Sequence, residues 1–211
     1  MADRVAQRAF LQVCGPQLEP ARAEVSFAYQ RGRSWVDALA RAGQYRAQGL
    51  RWVFRTDIAD FFDSVEHDLL RAVVRTQVPD PAMVELVDAW VQAPALTPKG
   101  LQARPRGLPE GAPLSPALAN LYLREFDYQV DGRHGRLVRY ADDLALFCRD
   151  LDAATAGAEH RRRVGAAAPA AQSGQDLHSD LRCRGSRCWV GSSRANKVGR
   201  NRNDEGGPTR W

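Results

Sequence analysis

The feature that most constrains this chain is a pair of adjacent aspartates, Asp142 and Asp143, between two short apolar runs. Residues 137–140 and 144–147 each have the pattern of a strand, so the sequence predicts a β-hairpin with the aspartates at its tip. Adjacent carboxylates repel each other, and Mg²⁺ is held by one or two carboxylates together with substrate phosphates. The tip therefore indicates a divalent-cation site. A solvated turn is the alternative, because aspartate is common in turns.

A second acidic cluster comes at the end of another predicted strand, residues 51–58, where Asp57 is followed by Asp60 and Asp63. If this strand lies beside the hairpin, Asp57 and the aspartate pair form a three-carboxylate site. Such a site holds two Mg²⁺ ions about 3.5–4 Å apart, an arrangement that catalyses displacement at phosphorus. Phosphoryl transfer depends on positioning and charge neutralisation more than on covalent help from the protein.

Four segments in chain order resemble the motifs of the reverse transcriptases, in particular those of the bacterial group II intron-like lineage. Residues 57–63 (DIADFFD) are similar to the first palm motif, residues 107–121 to the second and residues 140–143 (YADD) to the third. Residues 26–34 (SFAYQRGRS) resemble the fingers block that precedes them. Four ordered motifs are a specific signal, and the resemblance spans about residues 3–150.

The resemblance implies that Asp57, Asp142 and Asp143 are the catalytic residues and bind two Mg²⁺ ions, with Mn²⁺ as the alternative metal. The backbone carbonyl of Ile58 is implied as a further metal ligand. An RNA template, a DNA or RNA primer and deoxynucleoside triphosphates are the implied partners. Template or primer contacts fall on Arg31, Arg33 and Tyr140.

The resemblance further implies a nucleotide site at Asp60, Phe61, Phe62, Glu110, Gly111 and Ala112. Phe62 stands where the family has a bulky side chain under the sugar, and a large ring there leaves no room for the 2′-hydroxyl that distinguishes RNA from DNA. RNA-dependent RNA polymerases have Asp at that position and typically Gly where this chain has Ala141, so Phe62 favours DNA synthesis. Glu110 departs from the usual Gln, and a carboxylate repels phosphates unless it is protonated or paired.

The predicted fold is α+β: a polymerase palm with part of the fingers, an antiparallel sheet that carries the carboxylates, and helices on one face. Residues 1–150 are assigned to the fingers and palm, incomplete at the N-terminus, and no thumb is present in this reading frame. A strand or hairpin region is expected over 96–106. Helices are predicted over 35–48, 68–77 and 81–92, and from Pro116 with Ser115 as the N-cap.

Residues 151–211 are predicted to be a disordered basic tail. Only 6 of these 61 residues are Leu, Ile, Val or Phe, below the roughly 20% at which chains lose the ability to form a core. The folded part is therefore expected to stop near residue 160. This tail holds 11 Lys+Arg and 6 Asp+Glu, which equals the whole net charge of +5, since residues 1–150 hold 19 of each. The basic pI is thus weak support for template binding. Cys183, Cys188 and His178 match no standard zinc spacing.

The tail is interpreted as a frameshifted translation that begins a little after Phe147. Codons for residues 175–180 (QDLHSD), read one nucleotide later, can give Lys-Thr-Tyr-Ile-Val-Thr, which resembles a segment that the family has after the third motif. Residues 3–9 resemble the interior of the family's first fingers block, so Met1 is interpreted as an internal start.

Three functions are compared: an RNA-templated DNA polymerase, an inactive remnant that binds nucleic acid, and an RNA polymerase, which Phe62 disfavours. The lineage is left open between a group II intron maturase with an intron RNA, a retron-type enzyme, and a CRISPR-linked enzyme with an integrase partner and a role in antiviral defence. The sequences of residues 60–64 (DFFDS) and 112–116 (APLSP) favour the CRISPR-linked or a related group. No bilayer-spanning window or signal peptide is found, and the four scattered cysteines are typical of a reducing compartment, so a cytoplasmic location is predicted.

Overall fold

The computed structural model describes residues 2–19, 24–58, 60–98, 100–167 and 189–192. In chain order the helices are α1 (Ala2–Leu18), α2 (Trp35–Ala47), α3 (Phe61–Ser64), α4 (His67–Gln77), α5 (Pro81–Gln92), α6 (Ser115–Tyr122), α7 (Arg124–Val130) and α8 (Leu151–Ala167). The strands are β1 (Trp52–Asp57), β2 (Ala95–Thr97), β3 (Gly100–Gln102), β4 (Arg136–Tyr140), β5 (Asp143–Cys148) and β6 (Trp189–Ser192). The structure therefore mixes helices with sheet, as the sequence predicts.

The central sheet has four antiparallel strands in the order β4-β5-β1-β6. Strands β4 and β5 form the predicted hairpin, and β1 pairs with β5 along its whole length, from Trp52 opposite Cys148 to Asp57 opposite Asp143. The separate β2–β3 hairpin corresponds to the predicted 96–106 region but begins one residue earlier, at Ala95. The register thus places the ends of β1 and of the β4–β5 hairpin at one edge of the sheet.

Both faces of the sheet are covered by helices. Because side chains alternate along a strand, Phe54 and Leu146 enter the larger core, which includes residues from α1 and from α4 to α8. Val53 and Phe147 enter a smaller core with Tyr45 of α2. The prediction of helices on one face is therefore wrong. The reason is that β1 and β5 carry apolar side chains on both faces, and each face needs cover.

Two of the helix starts follow their sequence signals. Ser34 and Asp37 form a capping box at the start of α2, with the Ser34 N–H donating to Asp37 Oδ2 at 2.7 Å. Asp80 caps α5 by accepting the Ala82 N–H at 2.9 Å. The helix predicted from Pro116 is present as α6, but the N-cap assignment is wrong, because the helix begins at Ser115 and Leu114 is its N-cap. The Ser115 hydroxyl instead donates to the Pro109 carbonyl at 2.6 Å, which ties α6 to the loop before it.

Helix α8 corrects the predicted tail. Its 17 residues fold where composition predicted disorder, and Ala154, Arg161 and Val164 are buried. The count of large apolar residues missed this helix because it omits alanine, the best helix former, and the aliphatic stem of a buried arginine. The expectation of disorder is therefore wrong for residues 151–167 and for β6. The remaining tail expectations, including Cys183, Cys188, His178 and residues 175–180, lie outside the described residues.

Among the helices of the described residues, none is both long enough and apolar enough to cross a bilayer.

Candidate active site

The two-residue turn between β4 and β5 presents the aspartate pair. Tyr140 lies opposite Asp143 in the hairpin register, which leaves Ala141 and Asp142 as the turn residues. Ala141 has φ +58°, a left-handed conformation that costs a residue with a Cβ about 1–2 kcal/mol. Strained backbone of this kind persists only where the surrounding structure holds it, and it is concentrated at functional sites.

Strand β1 brings the third carboxylate to the same edge. Asp57 is the last residue of β1 and lies directly opposite Asp143. One residue further, the Ile58 N–H donates to the Asp142 carbonyl at 3.1 Å, and the Ile58 side chain is almost fully buried. The chain after β1 is therefore hydrogen-bonded to the turn itself. Asp57, Asp142 and Asp143 lie at the same end of the sheet, and this group of three is here called the aspartate edge.

The three carboxylates interact electrostatically. Burial raises the pKa of Asp143; Arg55, whose Nη2 lies 3.6 Å from Asp143 Oδ1, opposes the rise, whereas Asp142 and Asp57 add to it. Asp57 Oδ1 is buried and has no hydrogen-bond partner in the part of the chain that the structure describes. A buried carboxylate oxygen without a donor is costly unless a cation or a donor compensates it.

These observations fit a divalent cation in chemistry, because the donors are carboxylate oxygens and one of them is unsatisfied. The side chains are not yet in a liganding arrangement: within the described ranges, no group of three or more His, Cys, Asp or Glu side chains is close enough to hold a metal. The Arg55 guanidinium forms an ion pair with the Asp143 carboxylate. Arg55 thus supplies at Asp143 part of the positive charge that a cation would supply.

A second positively charged side chain, in addition to Arg55, lies near the site. Arg161 of α8 is 97% buried and its guanidinium lies over the Phe54 ring at 6.0 Å. Burial and, to a smaller extent, Arg162 lower the pKa of Arg161, Asp57 opposes the change, and the net result is a pKa of about 10. The guanidinium stays protonated at neutral pH and therefore adds positive potential beneath Asp57.

A buried polar network supports the turn from below. Arg139 of β4 is 1% exposed and forms two hydrogen bonds to the Asp127 carboxylate, from Nε at 2.8 Å and from Nη2 at 2.6 Å. Its Nη1 donates to Asn120 Oδ1 and to the Ala141 carbonyl, both at 3.0 Å. The network therefore connects α6 and α7 directly to the strained turn residue.

The segment that resembles the fingers block lies beside the same turn. Ser26 forms a parallel bridge with Arg139, and Phe27 N–H donates to the Arg139 carbonyl at 2.9 Å. Asn120 Nδ2 donates to the Ala28 carbonyl at 2.8 Å. The next residue, Tyr29, has φ +59° and is 54% exposed. Burial raises the pKa of Tyr29, and Asp142 and Tyr140 raise it further, so the phenol lies within electrostatic reach of the turn.

The second palm-like motif is attached to the segment after β1. Gly107 N–H donates to the Val65 carbonyl at 2.7 Å, and Leu108 N–H donates to the Phe62 carbonyl at 2.6 Å. His67 Nε2 lies 2.8 Å from the Gly107 carbonyl. Gly107 has φ +92°, and a Cβ there would lie 3.0 Å from the Phe62 carbonyl oxygen. Only glycine fits this close approach of two backbones.

The predicted nucleotide-site residues fall into two groups. Phe61 is buried and packs against Phe62 and Tyr122, so a nucleotide contact of Phe61 would involve its backbone. Phe62 is half-buried. Asp60 is exposed with φ +45° and begins α3. On the loop before α6, Glu110 and Gly111 are exposed and Ala112 is half-buried.

The predicted template residues also differ in exposure. Arg31 is exposed, whereas Arg33 is half-buried, donates to the Ser26 carbonyl at 2.7 Å and lies over the Phe27 ring at 5.3 Å. Arg33 therefore holds the segment beside the turn together. Tyr140 is half-buried and packs against the smaller core.

Sequence reasoning missed Arg139, Asp127, Asn120, Tyr29 and Arg161. A signal existed for Arg139, because strand alternation puts it on the same side as the buried Leu137. No local signal marks the other four, since their positions depend on which helix or loop packs against the sheet.

Comparison with known proteins shows the family of the chain. The family model described as "Reverse transcriptase (RNA-dependent DNA polymerase)" matches residues 1–168. Protein YkfC of Escherichia coli (strain K12) is 30% identical over 141 residues, which is 64% of this chain and 36% of YkfC. Group II intron-encoded protein LtrA of Lactococcus lactis subsp. cremoris is 30% identical over 125 residues, 59% of this chain and 21% of LtrA. The chain therefore spans little more than a third of these relatives, or less.

A solved structure of apo telomerase from Candida tropicalis, truncated from its C-terminal domain, superposes with a TM-score of 0.57 at 12% identity. The alignment covers 74% of this chain and 36% of that one, and at this identity it shows similarity of fold alone. The family match extends over most of the chain and includes every element that forms the aspartate edge. The chain belongs to the reverse transcriptase (RNA-dependent DNA polymerase) family.

Proposed function

We propose that this chain is the fingers and palm part of an RNA-directed DNA polymerase that joins deoxynucleoside triphosphates to a primer 3′-hydroxyl. The observation that carries the proposal is the register of β1 and β5, which places Asp57 opposite Asp143 beside the Asp142 turn. Family membership supports RNA-templated DNA synthesis in general. The template, primer and metal are part of the proposal.

Asp57, Asp142 and Asp143, with the Ile58 carbonyl, are the residues that would hold Mg²⁺ or, in its place, Mn²⁺. Bound there, the cations would neutralise the triphosphate and favour ionisation of the primer hydroxyl. The chain's own contribution is positioning. Arg139 and the Ile58 N–H hold the turn through hydrogen bonds. The hydrogen bond of Gly107 to the segment after β1 would position the surface against which a nucleotide packs.

We propose that Phe62 selects deoxyribose. The second candidate function is an inactive remnant that binds nucleic acid, and the exposed Glu110 side chain favours it. A carboxylate beside the nucleotide phosphates opposes binding unless a cation accompanies it. The lineage stays a prediction. LtrA is by its name a group II intron-encoded protein, so an intron RNA and a CRISPR integrase both remain candidate partners.

Primer extension on an RNA template with Mg²⁺ tests the proposal. Asp142→Asn is expected to reduce extension at least about a hundredfold, because several kcal/mol of charge stabilisation is lost. Asp68→Asn is the matched control, since Asp68 is an exposed carboxylate on α4 and is not one of the three aspartates of the site. Thermal stabilisation by Mg²⁺ should also be lost in Asp142→Asn and kept in the control. Extension that is absent from the parent chain, with RNA binding retained, would favour the remnant.

A further inference from the structure

A cavity lies at the end of the sheet opposite the aspartate turn. It has a volume of about 420 Å³, and its lining comes from the 132–136 loop, the junction of β5 with α8, and the connection from α2 to β1. Strand β5 separates the two ends, so the cavity lies about 17 Å from the turn at about 3.4 Å per residue. Its polar lining includes Gln48, Arg133, His134, Arg136, Arg149 and Asp150.

The cavity concentrates positive charge in a part of the chain that is otherwise neutral. Arg133, Arg136 and Arg149 contribute +3 and Asp150 contributes −1, which gives +2 for the lining. Residues 1–150 as a whole carry 19 basic and 19 acidic side chains, a net charge of zero. The local excess therefore comes from how the fold places these arginines together.

Two of the arginines are available to a ligand. Arg133 and Arg149 are exposed, and neither forms an ion pair with another of the described residues. Arg136 is engaged, with Nε 3.3 Å from Asp131 Oδ1 and its guanidinium over the Tyr45 ring at 5.5 Å. Asp150, the acidic residue of the lining, accepts the Ala153 N–H at 2.8 Å and so caps α8.

The backbone around the cavity is fixed. Gly132 has φ +83° and its N–H donates to the Gly135 carbonyl at 2.8 Å. A Cβ on Gly135 would collide with the Phe147 carbonyl oxygen, so the loop that carries Arg133 presses directly on β5. On the other side, Arg149 lies two residues before Leu151, the first residue of α8, whose N-terminal end adds partial positive charge.

We propose that this cavity binds phosphates of a single-stranded nucleic acid backbone, at a place separate from the aspartate turn. Arginine forks match phosphate oxygens in geometry and charge, and the volume suits a ligand group of nucleotide size. Among the described residues that line the cavity, there is no Phe, Tyr or Trp side chain on which a base could stack. Recognition is therefore of the backbone and independent of base sequence.

The test is binding of a short fluorescent homopolymeric RNA to the full chain, measured by anisotropy at several salt concentrations without metal or nucleotide. Arg133→Ala/Arg149→Ala should lower the slope of log K against log salt by about 1.4, since each phosphate contact on a single strand contributes about 0.7. Arg4→Ala/Arg8→Ala is the charge-matched control, with both arginines exposed on α1. The control should leave the slope unchanged.

An equal slope in the cavity variant and the parent, or an equal decrease in the control, would overturn the proposal. Inorganic phosphate at millimolar concentration should leave RNA binding unchanged, and efficient competition would identify a free-anion site and overturn it as well. Thermal unfolding of each variant checks that the fold is intact. Because no catalysis is involved, loss of the slope effect and loss of primer extension are separate outcomes.

Discussion

At the scale of single residues, Phe62 lies between core and surface. Its ring contacts Phe61 edge-on with centroids 5.7 Å apart, and its carbonyl holds the Leu108 N–H. The ring is therefore supported from one side, and its carbonyl anchors the loop that resembles the second palm motif. A rigid, supported ring is what steric selection against a 2′-hydroxyl requires.

We predict that Phe62→Val admits ribonucleotides at least about tenfold more readily, because removing the ring leaves room for the 2′-hydroxyl and a lost clash of about 1.4 kcal/mol is tenfold in rate. Competing single-nucleotide incorporation of dNTP and NTP measures the ratio. Phe62→Tyr keeps the ring and serves as the control. Unchanged discrimination in Phe62→Val would mean that another residue excludes the hydroxyl.

Arg139 and Asp127 form a buried ion pair, and burial raises the pKa of Asp127 while Arg139 opposes the rise. We predict that Arg139→Met lowers the free energy of unfolding by about 3–5 kcal/mol, because it leaves the Asp127 carboxylate buried without its partner. Arg139→Met/Asp127→Leu should recover part of this loss.

Urea unfolding measures both variants. The control is Arg163→Met, which breaks an exposed pair with Glu159 on α8 and should change stability by no more than about 0.5 kcal/mol. A cost for Arg139→Met as small as that of the control would show that the network does not stabilise the fold.

At the scale of elements, the loop before α6 has two glycines with positive φ, and at one of them a side chain would also collide with neighbouring backbone. Gly107 and Gly111 both have positive φ, at +92° and +69°, but only Gly107 faces backbone atoms, with Asp63 Cα and the Phe62 oxygen each 3.0 Å from a Cβ position. The two positions therefore separate conformational strain from close packing.

We predict that Gly107→Ala destabilises the fold by about 1–3 kcal/mol more than Gly111→Ala, because both pay for the positive φ but only the first is overpacked. Urea unfolding of the two variants gives the difference. Equal losses would mean that the loop moves away from the segment after β1 without cost.

The core face of β5 provides a pH test. Burial and, to a smaller extent, Asp150 together raise the pKa of Cys148 to about 11. An unperturbed thiol has a pKa near 8.5, so stability from the buried neutral thiol is complete below that pH and is lost as pH rises toward about 11.

We predict that iodoacetamide labels Cys148 much more slowly in the folded chain than in the unfolded chain between pH 7 and 9, because the thiolate is the reactive form and only a small fraction of this thiol ionises below its raised pKa. The rate in the folded chain should still be rising at pH 9, whereas the rate in the unfolded chain should level off near its ordinary pKa. Peptide-resolved mass spectrometry measures the rate, and the urea-unfolded chain is the reference. A folded-chain rate that equals the unfolded rate and levels off at the same pH would place Cys148 outside the core.

Sequence predicted elements well where the signal is local. The 81–92 helix and the hairpin over the aspartate pair each follow from short-range rules and are confirmed. The Ser115 N-cap failed because its hydroxyl bonds to Pro109, six residues earlier. Arg139 was missed because a charged residue in a strand reads as exposed until its buried partners on α6 and α7 are known.

At the scale of the whole molecule, the aspartate edge could be anticipated as a set of motifs, but its support could not. Register between β1 and β5 follows from apolar alternation on both strands. The covering of the second face by α2, and of the first by α8, depends on contacts across the whole chain. Composition alone therefore placed the boundary of the folded part near 160, and the structure continues the packed helix to Ala167.

The position of that boundary yields the last prediction. Helix α8 buries Ala154 and Val164 in the larger core and places Arg161 over Phe54 of β1. A chain ending at residue 150 exposes the apolar face of β1 and β5 and should lose its cooperative unfolding transition, because fully burying each large apolar side chain contributes about 1.5–3 kcal/mol to a total of about 5–15 kcal/mol. A chain ending at residue 167 keeps α8 and should retain the transition. Circular dichroism during urea unfolding compares the two, with the complete chain as reference. Cooperative unfolding of the shorter chain, at the same midpoint as the longer one, would show that residues 1–150 fold without α8.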